Sequence, residues 1–250
     1  MTLDETRRTS FDRNAALYEA VRPSYHPGAV DELAGLGTRV LEVGAGTGKA
    51  TALLARAGFA VTALEPGAQM AAVLRDKQLP NVTIVETRFE DFDAGGFDFV
   101  LAAQAWHWMD PARRFQLAAA AAPVLALLYN EKAPLDPTLR AELQAAYARH
   151  FPADSPRYPI DPVAEQRATF AREIAESGLY GEPRIVELPW TERYPTARYL
   201  ELLSTYSDHA VLPAAQRDAL LSEIAAAIDK RGGAIDIPYV TLVVIARRLG

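Results

Sequence analysis

A glycine-rich segment between a β-strand pattern and a helix pattern constrains this chain more than any other feature. It reads VLEVGAGTGK, from Val40 to Lys49. A β-branched run leads into Gly44, Gly46 and Gly48, and an alanine-rich helix pattern follows at once. Glycines at alternate positions permit a tight turn and a close approach of the backbone to a ligand. The segment therefore predicts a strand–turn–helix unit with a ligand at the turn.

The same alternation of strand and helix continues along the chain. Apolar runs at 39–43, 60–64, 82–85, 97–102 and 124–128 alternate with helix patterns. This order predicts a mostly parallel sheet with right-handed crossovers, and unbroken apolar strands indicate that helices cover both faces. Strand patterns at 184–194 and 239–247, with helices between them, predict an antiparallel last strand in a seven-stranded, Rossmann-like α/β fold.

Composition excludes several classes of function. The chain has 250 residues, no cysteine and a net charge of −6. Thiolate chemistry and cysteine-ligated metals are excluded, and the spacing of His26, His107, His150 and His209 argues against a metal centre. An acidic chain without a basic cluster is a poor binder of nucleic acid or an anionic membrane. There is no signal-peptide pattern and no 20-residue apolar run, so we expect a cytoplasmic protein.

Three ligand classes compete for the glycine turn. A phosphate-binding P-loop is excluded, because Gly48-Lys49 follows Gly44 one residue too early and Ala50 replaces the magnesium-binding hydroxyl. A dinucleotide fingerprint requires a third glycine where Lys49 stands, and its pyrophosphate would lie beside the Glu42 carboxylate.

A cationic ligand fits these residues better. S-adenosylmethionine carries an ammonium and a sulfonium and no phosphate, which suits Glu42. Glu65, 21 positions after Gly44 at the end of the second strand, suits the two ribose hydroxyls. Glu65 alone does not distinguish this ligand from NAD, since both contain an adenosine ribose. Glu42 and Lys49 are the residues that favour S-adenosylmethionine over NAD.

Several segments resemble the class I S-adenosylmethionine-dependent methyltransferases. VLEVGAGTGKAT resembles their motif I, AVTALEPGAQM their second motif, and VETRFEDF the stretch after the third strand that lines the adenine. FDFVLAAQAWHWMDP and FDRNAALYEAVRPSYHPG are similar to segments of a small-molecule subgroup, the trans-aconitate-methyltransferase-like and quinone C-methylase-like enzymes. The likeness covers roughly residues 10–130.

The resemblance implies a domain plan and a cofactor site. Residues 1–37 are expected to form N-terminal lid helices, and 38–250 the methyltransferase domain, with a helical substrate-facing insertion at about 132–235. Many relatives carry an aspartate where Arg88 stands, so the adenine contact is expected from Glu90 or Asp91, with a backbone N–H from Phe89. The expected cofactor-binding residues are Tyr18, Arg22, Glu42, Gly44, Ala45, Gly46, Gly48, Glu65, Pro66, Phe89, Glu90, Gln104 and Ala105.

The acceptor side is predicted from fewer signals. His107 is expected to face the substrate as the candidate general base, although the sequence shows no partner for it. The expected substrate-binding residues are Tyr25, Trp106, Tyr206 and His209. Other interpretations stay open for these residues. Trp106 and Trp108 could be core aromatic residues or could stack on the sulfonium of the cofactor. His107 could cap the next helix, and Arg22 could be an ordinary surface residue.

The predicted activity is in-line methyl transfer from S-adenosylmethionine to a small-molecule acceptor by a bacterial monomer or homodimer. Alternatives are a non-catalytic S-adenosylmethionine-binding protein, a protein or RNA methyltransferase, and a nicotinamide-dependent dehydrogenase. The [ND]PP[YF] loop of DNA amino-methyltransferases is replaced by AQAWHW after the fourth strand. No acid–asparagine set for a catechol-type magnesium site is apparent.

Overall fold

The computed structural model describes residues 15–93, 95–151, 161–210 and 212–250. Seven strands form one mixed sheet: β1 (Arg39–Val43), β2 (Ala60–Leu64), β3 (Val82–Val85), β4 (Phe99–Ala103), β5 (Val124–Lys132), β6 (Arg184–Pro195) and β7 (Ala234–Arg247). Their order is β3-β2-β1-β4-β5-β7-β6 and the last strand is antiparallel, which confirms the predicted fold class.

The parallel pairing places the ends of β1 and β4 side by side. β1 pairs with β2 on one side and with β4 on the other, and Glu42 is opposite both Ala63 and Leu101. The chain runs outward from β1 through β2 to β3 and then returns to β4. Ligands of open α/β sheets bind outside the carboxyl ends of the strands at such a reversal.

Helices precede and connect these strands. They are α1 (Ala15–Val21), α2 (Ala29–Leu33), α3 (Lys49–Arg56), α4 (Ala68–Asp76), α5 (Arg114–Ala121), α6 (Pro137–His150), α7 (Pro162–Ser177), α8 (Thr196–Ser204), α9 (Ser207–Ala210) and α10 (Ala214–Asp229). Short 3₁₀ turns span Ala34–Leu36, Phe89–Asp91 and Trp106–Trp108. Residues 11–14 of the first predicted helix and most of the proline-rich loop at 152–162 lie outside the described residues.

The chain divides into two compact units. We call residues 24–131, 165–189 and 240–250 the sheet unit, and residues 1–23, 132–164 and 190–239 the helical unit. In the sheet unit, α3 packs on β2, and Phe59 meets Phe99 edge to face with ring centroids 5.9 Å apart. Its core comprises Ala29, Leu33, Val40, Ala45, Ala50, Leu54, Phe59, Val61, Ala63, Leu74, Phe99, Leu101, Val124, Ala126, Leu128, Val243 and Ile245.

The helical unit has a core of its own. α10 packs against α6 and α8, and α1 packs against α8. Asp136 caps α6 by accepting hydrogen bonds from the backbone N–H groups of Thr138 and Leu139, each at 3.0 Å. The buried tyrosines in the core of the helical unit are Tyr147, Tyr194, Tyr199 and Tyr239.

Several element boundaries differ from the sequence prediction. β4 spans Phe99–Ala103 and not 97–102, and β5 continues to Lys132 instead of ending at Leu128. β7 begins at Ala234 and not at Tyr239. The helix predicted from Pro27 to Leu36 is α2 followed by a 3₁₀ turn. The helical stretch predicted around 196–207 is interrupted after Ser204, where the Thr205 hydroxyl donates to the Leu202 carbonyl at 2.7 Å.

Candidate functional site

Different physical constraints apply to the three glycines of the turn after β1. All three have positive φ: 68° at Gly44, 59° at Gly46 and 82° at Gly48. A Cβ on Gly48 would collide with Leu74, and one on Gly44 would lie 2.7 Å from the Ala105 methyl group. A Cβ on Gly46 would meet nothing within 4 Å. Packing therefore requires Gly44 and Gly48, whereas the open side of the turn, which a ligand can approach, is at Gly46.

Glu42 is a buried carboxyl group at the base of this turn. Its side chain is 1% exposed, and Oε2 accepts a hydrogen bond from the Thr51 hydroxyl at 2.6 Å. Burial, together with the negative charge of Glu65, raises the pKa of Glu42 to about 7 although the Thr51 hydrogen bond opposes this. Oε1 of Glu42 and Oγ1 of Thr47 are buried and have no hydrogen-bond partner among the described residues.

Such groups are costly to bury unless something satisfies them. A buried carboxylate oxygen with spare acceptor capacity suits a cationic hydrogen-bond donor, and a phosphate would be repelled there. The residues present therefore fit the ammonium of an amino-acid group and do not fit a pyrophosphate.

Glu65 lies at the end of β2 and faces the same turn. Its Oε2 accepts the backbone N–H of Gly46 at 2.7 Å, and its Oε1 accepts that of Gly67 at 2.8 Å. Each carboxylate oxygen has a second lone pair, so this carboxylate can still accept the two hydroxyls of a vicinal diol. Pro66 is exposed and precedes α4 instead of starting it, because Gly67 is extended.

The turn after β3 is tied to the turn after β4. Oε1 of Glu90 accepts the backbone N–H of Asp110 at 2.8 Å, and Oε2 is 3.4 Å from the guanidinium of Arg88. Burial would raise the pKa of Glu90, but the Asp110 N–H and Arg88 lower it below its ordinary value. Phe89 is buried. The Glu90 side chain thus has a structural role, and the predicted adenine contacts remain a prediction.

Gln104 is held in a strained backbone conformation directly after β4. Its φ is 54°, which is uncommon for a residue other than glycine. The Gln104 backbone N–H donates to the Leu128 carbonyl and its side-chain amide donates to the Asn130 carbonyl, both at 2.9 Å. These bonds to β5 hold the strained residue in place, as is common at functional sites.

The aromatic residues that follow have different environments. Trp106 is 1% exposed, and its ring meets Phe115 edge to face at 5.1 Å with the Arg114 guanidinium over it. Trp106 therefore belongs to the core of the sheet unit, and its predicted contact with the substrate remains untested. His107 is exposed, and its Nδ1 lies 2.9 Å from the hydroxyl of Tyr129.

Tyr129 is the partner that sequence reasoning did not find for His107. It lies 22 positions further along the chain, on β5. Burial raises the pKa of Tyr129 well above its ordinary value. The sequence signal that could have identified it is its place at the carboxyl end of the strand that pairs with β4.

Arg22, Tyr18 and Tyr206 come together within the helical unit. Arg22 donates from Nε to the Thr205 hydroxyl at 2.7 Å and from Nη2 to the Thr205 carbonyl at 2.9 Å. Its guanidinium lies 4.2 Å from the ring centre of Tyr206 and 5.0 Å from that of Tyr18. Lys132, which sequence reasoning missed, places its ammonium 5.0 Å from the same Tyr206 ring.

The two remaining predicted acceptor residues lie in different units. His209 belongs to the helical unit and is 2% exposed, with Nε2 2.9 Å from the Tyr147 hydroxyl and Nδ1 2.8 Å from Asp208. Tyr25 packs on the core of the sheet unit. Their roles as acceptor ligands remain predictions.

Within the described part of the chain, no three histidine or acidic side chains are grouped so that they could hold a metal ion. No described helix is both long enough and apolar enough to cross a membrane.

The glycine turn lies in a segment that is similar to known methyltransferases. Residues 40–126 match the model of a methyltransferase domain. An uncharacterized methyltransferase of Mycobacterium tuberculosis is 45% identical over 106 residues, which make up 42% of this chain and 44% of that protein. The chain thus matches less than half the length of this curated relative.

Solved structures share the fold over most of the chain. A protein of Anaeromyxobacter dehalogenans, described as a candidate type II methyltransferase, is 26% identical with a TM-score of 0.61, covering 91% of this chain and 96% of its own. An S-adenosylmethionine-dependent methyltransferase of Geobacter sulfurreducens, solved with S-adenosylhomocysteine, has a TM-score of 0.52 at 14% identity, covering 93% and 96%. At that identity the second likeness concerns the fold alone.

The family match falls on the strands and turns that carry Glu42, the three glycines and Glu65. Residues 40–126 are therefore similar to a methyltransferase domain. The orphaned Oε1 of Glu42 and the open side of Gly46 are the features of this structure that fit S-adenosylmethionine.

Proposed function

We propose that this chain transfers the methyl group of S-adenosylmethionine to a small-molecule acceptor. The observation that carries the proposal is the Glu42 carboxyl group, which is buried beside the glycine turn with one oxygen lacking a partner among the described residues. An amino-acid ammonium supplies the positive charge and the N–H donor that this oxygen requires. A nicotinamide dinucleotide supplies neither at that point.

The remaining cofactor contacts are assigned by residue type. Glu65 would accept the ribose hydroxyls, Gly44, Ala45, Gly46 and Gly48 would line the turn, and Pro66 would follow the ribose acid. Phe89 and Glu90 would flank the adenine. Gln104 and Ala105 would lie along the methionine moiety, Arg22 would bind its carboxylate, and Tyr18 would also contact the cofactor.

When bound, S-adenosylmethionine supplies an electrophilic methyl group on a positively charged sulfur. The contribution of the chain is to hold the acceptor in line with that methyl group, which is worth several kcal/mol in such reactions, about 7–11 in the best-oriented cases. His107 would face the acceptor, together with Tyr25, Trp106, Tyr206 and His209. A strong base is required only for an acceptor that is poorly ionised.

The acceptor class and the setting belong to the same proposal. A net charge of −6 supports a small molecule over nucleic acid. We place the chain in the trans-aconitate and quinone C-methylase-like subgroup, acting in the bacterial cytoplasm as a monomer or homodimer. The competing hypotheses are a binding protein without turnover and a protein or RNA methyltransferase.

Calorimetric titration with S-adenosylhomocysteine tests the proposed cofactor site. Glu65→Ala is expected to weaken binding about tenfold or more, because two charge-assisted hydrogen bonds are lost. Glu86→Ala removes a half-exposed acid of the same unit and is the matched control, with unchanged affinity expected. No binding by the wild-type protein, or binding of NADH in its place, would contradict the proposal.

A further inference from the structure

Two cationic side chains of the helical unit share one aromatic ring. The Arg22 guanidinium lies 4.2 Å from the ring centre of Tyr206, and the Lys132 ammonium lies 5.0 Å from the same ring centre. The ammonium is also 5.6 Å from the ring centre of Tyr199. Each cation is attracted to the electron-rich face of a ring, but two positive charges on the same ring repel each other.

Neither of these cations has a carboxylate to balance its charge within the described part of the chain. Neither Arg22 nor Lys132 forms an ion pair there, whereas Arg149 of the same unit pairs with Glu223. Both side chains are half-buried, so they have lost part of their hydration and are still accessible to a small solute. Because a partly buried charge without a counter-ion is costly, this arrangement favours the binding of an anion.

Arg22 is fixed in place and can still bind an anion. Its Nε donates to the Thr205 hydroxyl at 2.7 Å, and its Nη2 donates to the Thr205 carbonyl at 2.9 Å. A guanidinium has five N–H donors, so others remain for a ligand. The methionine carboxylate that the proposed function assigns to Arg22 carries one negative charge. That charge balances Arg22 and leaves Lys132 without an anion.

Lys132 keeps its positive charge and lies where ligands bind in this class of sheet. Burial alone would lower the pKa of Lys132, but its interactions with Tyr199 and Tyr206 raise this pKa above the ordinary value. Lys132 is the last residue of β5, which pairs in parallel with β4. The carboxyl ends of parallel strands are the usual place for ligands in open α/β sheets. A charged ammonium there suits a carboxylate oxygen of a ligand.

We propose that Lys132 is a specificity-determining residue, which binds a carboxylate group of the methyl acceptor beside the ring of Tyr206. This deepens the proposed function and rests on it for the identity of the ligand as a methyl acceptor. One unbalanced positive charge matches a carboxylate, which has a single negative charge at neutral pH, better than a phosphate monoester, which has about 1.5 to 2. The acceptor class is therefore a small carboxylic acid.

The amide chemical shifts of ¹⁵N-labelled protein saturated with S-adenosylhomocysteine test the proposal. Benzoate is the probe, and benzamide has the same ring without the negative charge. We expect benzoate to shift the amides of Lys132 and Tyr206 and to bind at least about tenfold more tightly than benzamide, because benzamide lacks the charge-assisted hydrogen bond. Equal affinities, or no binding of benzoate, would overturn the proposal. Tighter binding of phenyl phosphate than of benzoate would overturn the assignment to a carboxylate.

Substitutions of Lys132 test whether this residue binds the probe. Lys132→Gln removes the charge and should weaken benzoate binding at least about tenfold, whereas Lys132→Arg keeps the charge and should retain binding. Lys230→Gln is the matched control, because Lys230 is an exposed lysine of the same unit, and its benzoate affinity should equal that of the wild type. An unchanged benzoate affinity in Lys132→Gln, with spectra showing a folded protein, would overturn the proposal.

The affinity for S-adenosylhomocysteine separates this proposal from the proposed function. Lys132→Gln should bind S-adenosylhomocysteine as the wild type does. Binding weakened about tenfold or more would show that Lys132 binds the methionine carboxylate, which would overturn its role in acceptor binding. Absence of S-adenosylhomocysteine binding by the wild-type protein would refute the methyltransferase assignment. The benzoate titration of the ligand-free protein would then still show whether Lys132 binds a carboxylate.

Discussion

Replacing Glu42 with glutamine tests whether this carboxyl group binds the ammonium of the cofactor. Burial and the negative charge of Glu65 raise its pKa to about 7 in the ligand-free protein. An ammonium bound at Oε1 requires the ionised form, so binding must release the proton wherever the free protein carries it. With a pKa of about 7, roughly ten elevenths of the molecules are protonated at pH 6 and roughly one eleventh at pH 8.

The change in the ionised fraction of Glu42 between pH 6 and pH 8 sets the expected change in affinity. The affinity of the wild-type protein for S-adenosylhomocysteine should rise about tenfold from pH 6 to pH 8, equivalent to about 1.4 kcal/mol. Calorimetry at pH 7 in two buffers of different ionisation enthalpy should detect about half a proton released per ligand bound. Glu42→Gln should bind roughly 10–100-fold more weakly at pH 8, because a charge-assisted hydrogen bond is lost, and its affinity should not vary with pH.

Glu86→Gln is the control, since this acid is half-exposed at the surface and pairs with Arg75. It should keep both the affinity and the pH dependence of the wild type. A wild-type affinity that is constant between pH 6 and pH 8, or a pH dependence that survives in Glu42→Gln, would refute the reasoning about Glu42.

The same carboxyl group should lower the stability of the ligand-free protein as pH rises. Its folded-state pKa is above the ordinary 4.5, so the folded state binds more protons than the unfolded state between about pH 4.5 and pH 7. Stability therefore falls across this window, by at most about 3 kcal/mol, and Glu42→Gln should remove this decline. Urea unfolding at pH 5 and pH 7.5 measures it, and a wild-type stability that rose through the window would contradict the assigned pKa.

Three further substitutions test the site and the two cores. Gly46→Ala should weaken S-adenosylhomocysteine binding at least about tenfold in a titration, because the added methyl group fills the open side of the turn. Gly58→Ala is the control: its φ is also positive and its surroundings are equally open, so the affinity should stay unchanged. Asp136→Ala should cost about 1 kcal/mol in urea unfolding through loss of the α6 cap, and no change would contradict the cap. Phe99→Ala should cost about 3–5 kcal/mol in the same assay, because this ring is fully buried; a cost below about 1 kcal/mol would contradict its place in the core.

Local patterns predicted the strands around the candidate site well. β1, β2 and β3 have the predicted bounds, because each is an apolar run terminated by glycine, proline or polar residues. The start of β7 was missed because Pro238 and Asp236 interrupt the apolar pattern there, and proline is unusual inside a strand. Only pairing with neighbouring strands compensates for such an interruption.

Within the glycine turn, too, the sequence predicted one part of the structure and left another part open. The spacing of Gly44, Gly46 and Gly48 was sufficient to predict a turn with a ligand. It could not tell which glycine serves packing and which faces open space, because Leu74 and Ala105, which crowd Gly48 and Gly44, come from α4 and from the turn after β4.

The sequence by itself predicted the class of fold, the resemblance to methyltransferases, and the two acids expected to bind a cationic nucleoside. These features depend on residue type and spacing within short segments, where periodicity and turn chemistry act directly. The tertiary structure alone decided the chemical state of the site: the raised pKa of Glu42, the strained φ of Gln104, and the pairing of His107 with Tyr129. Burial and hydrogen bonding set these properties, and both arise from strands that are distant in sequence and adjacent only after the sheet has formed.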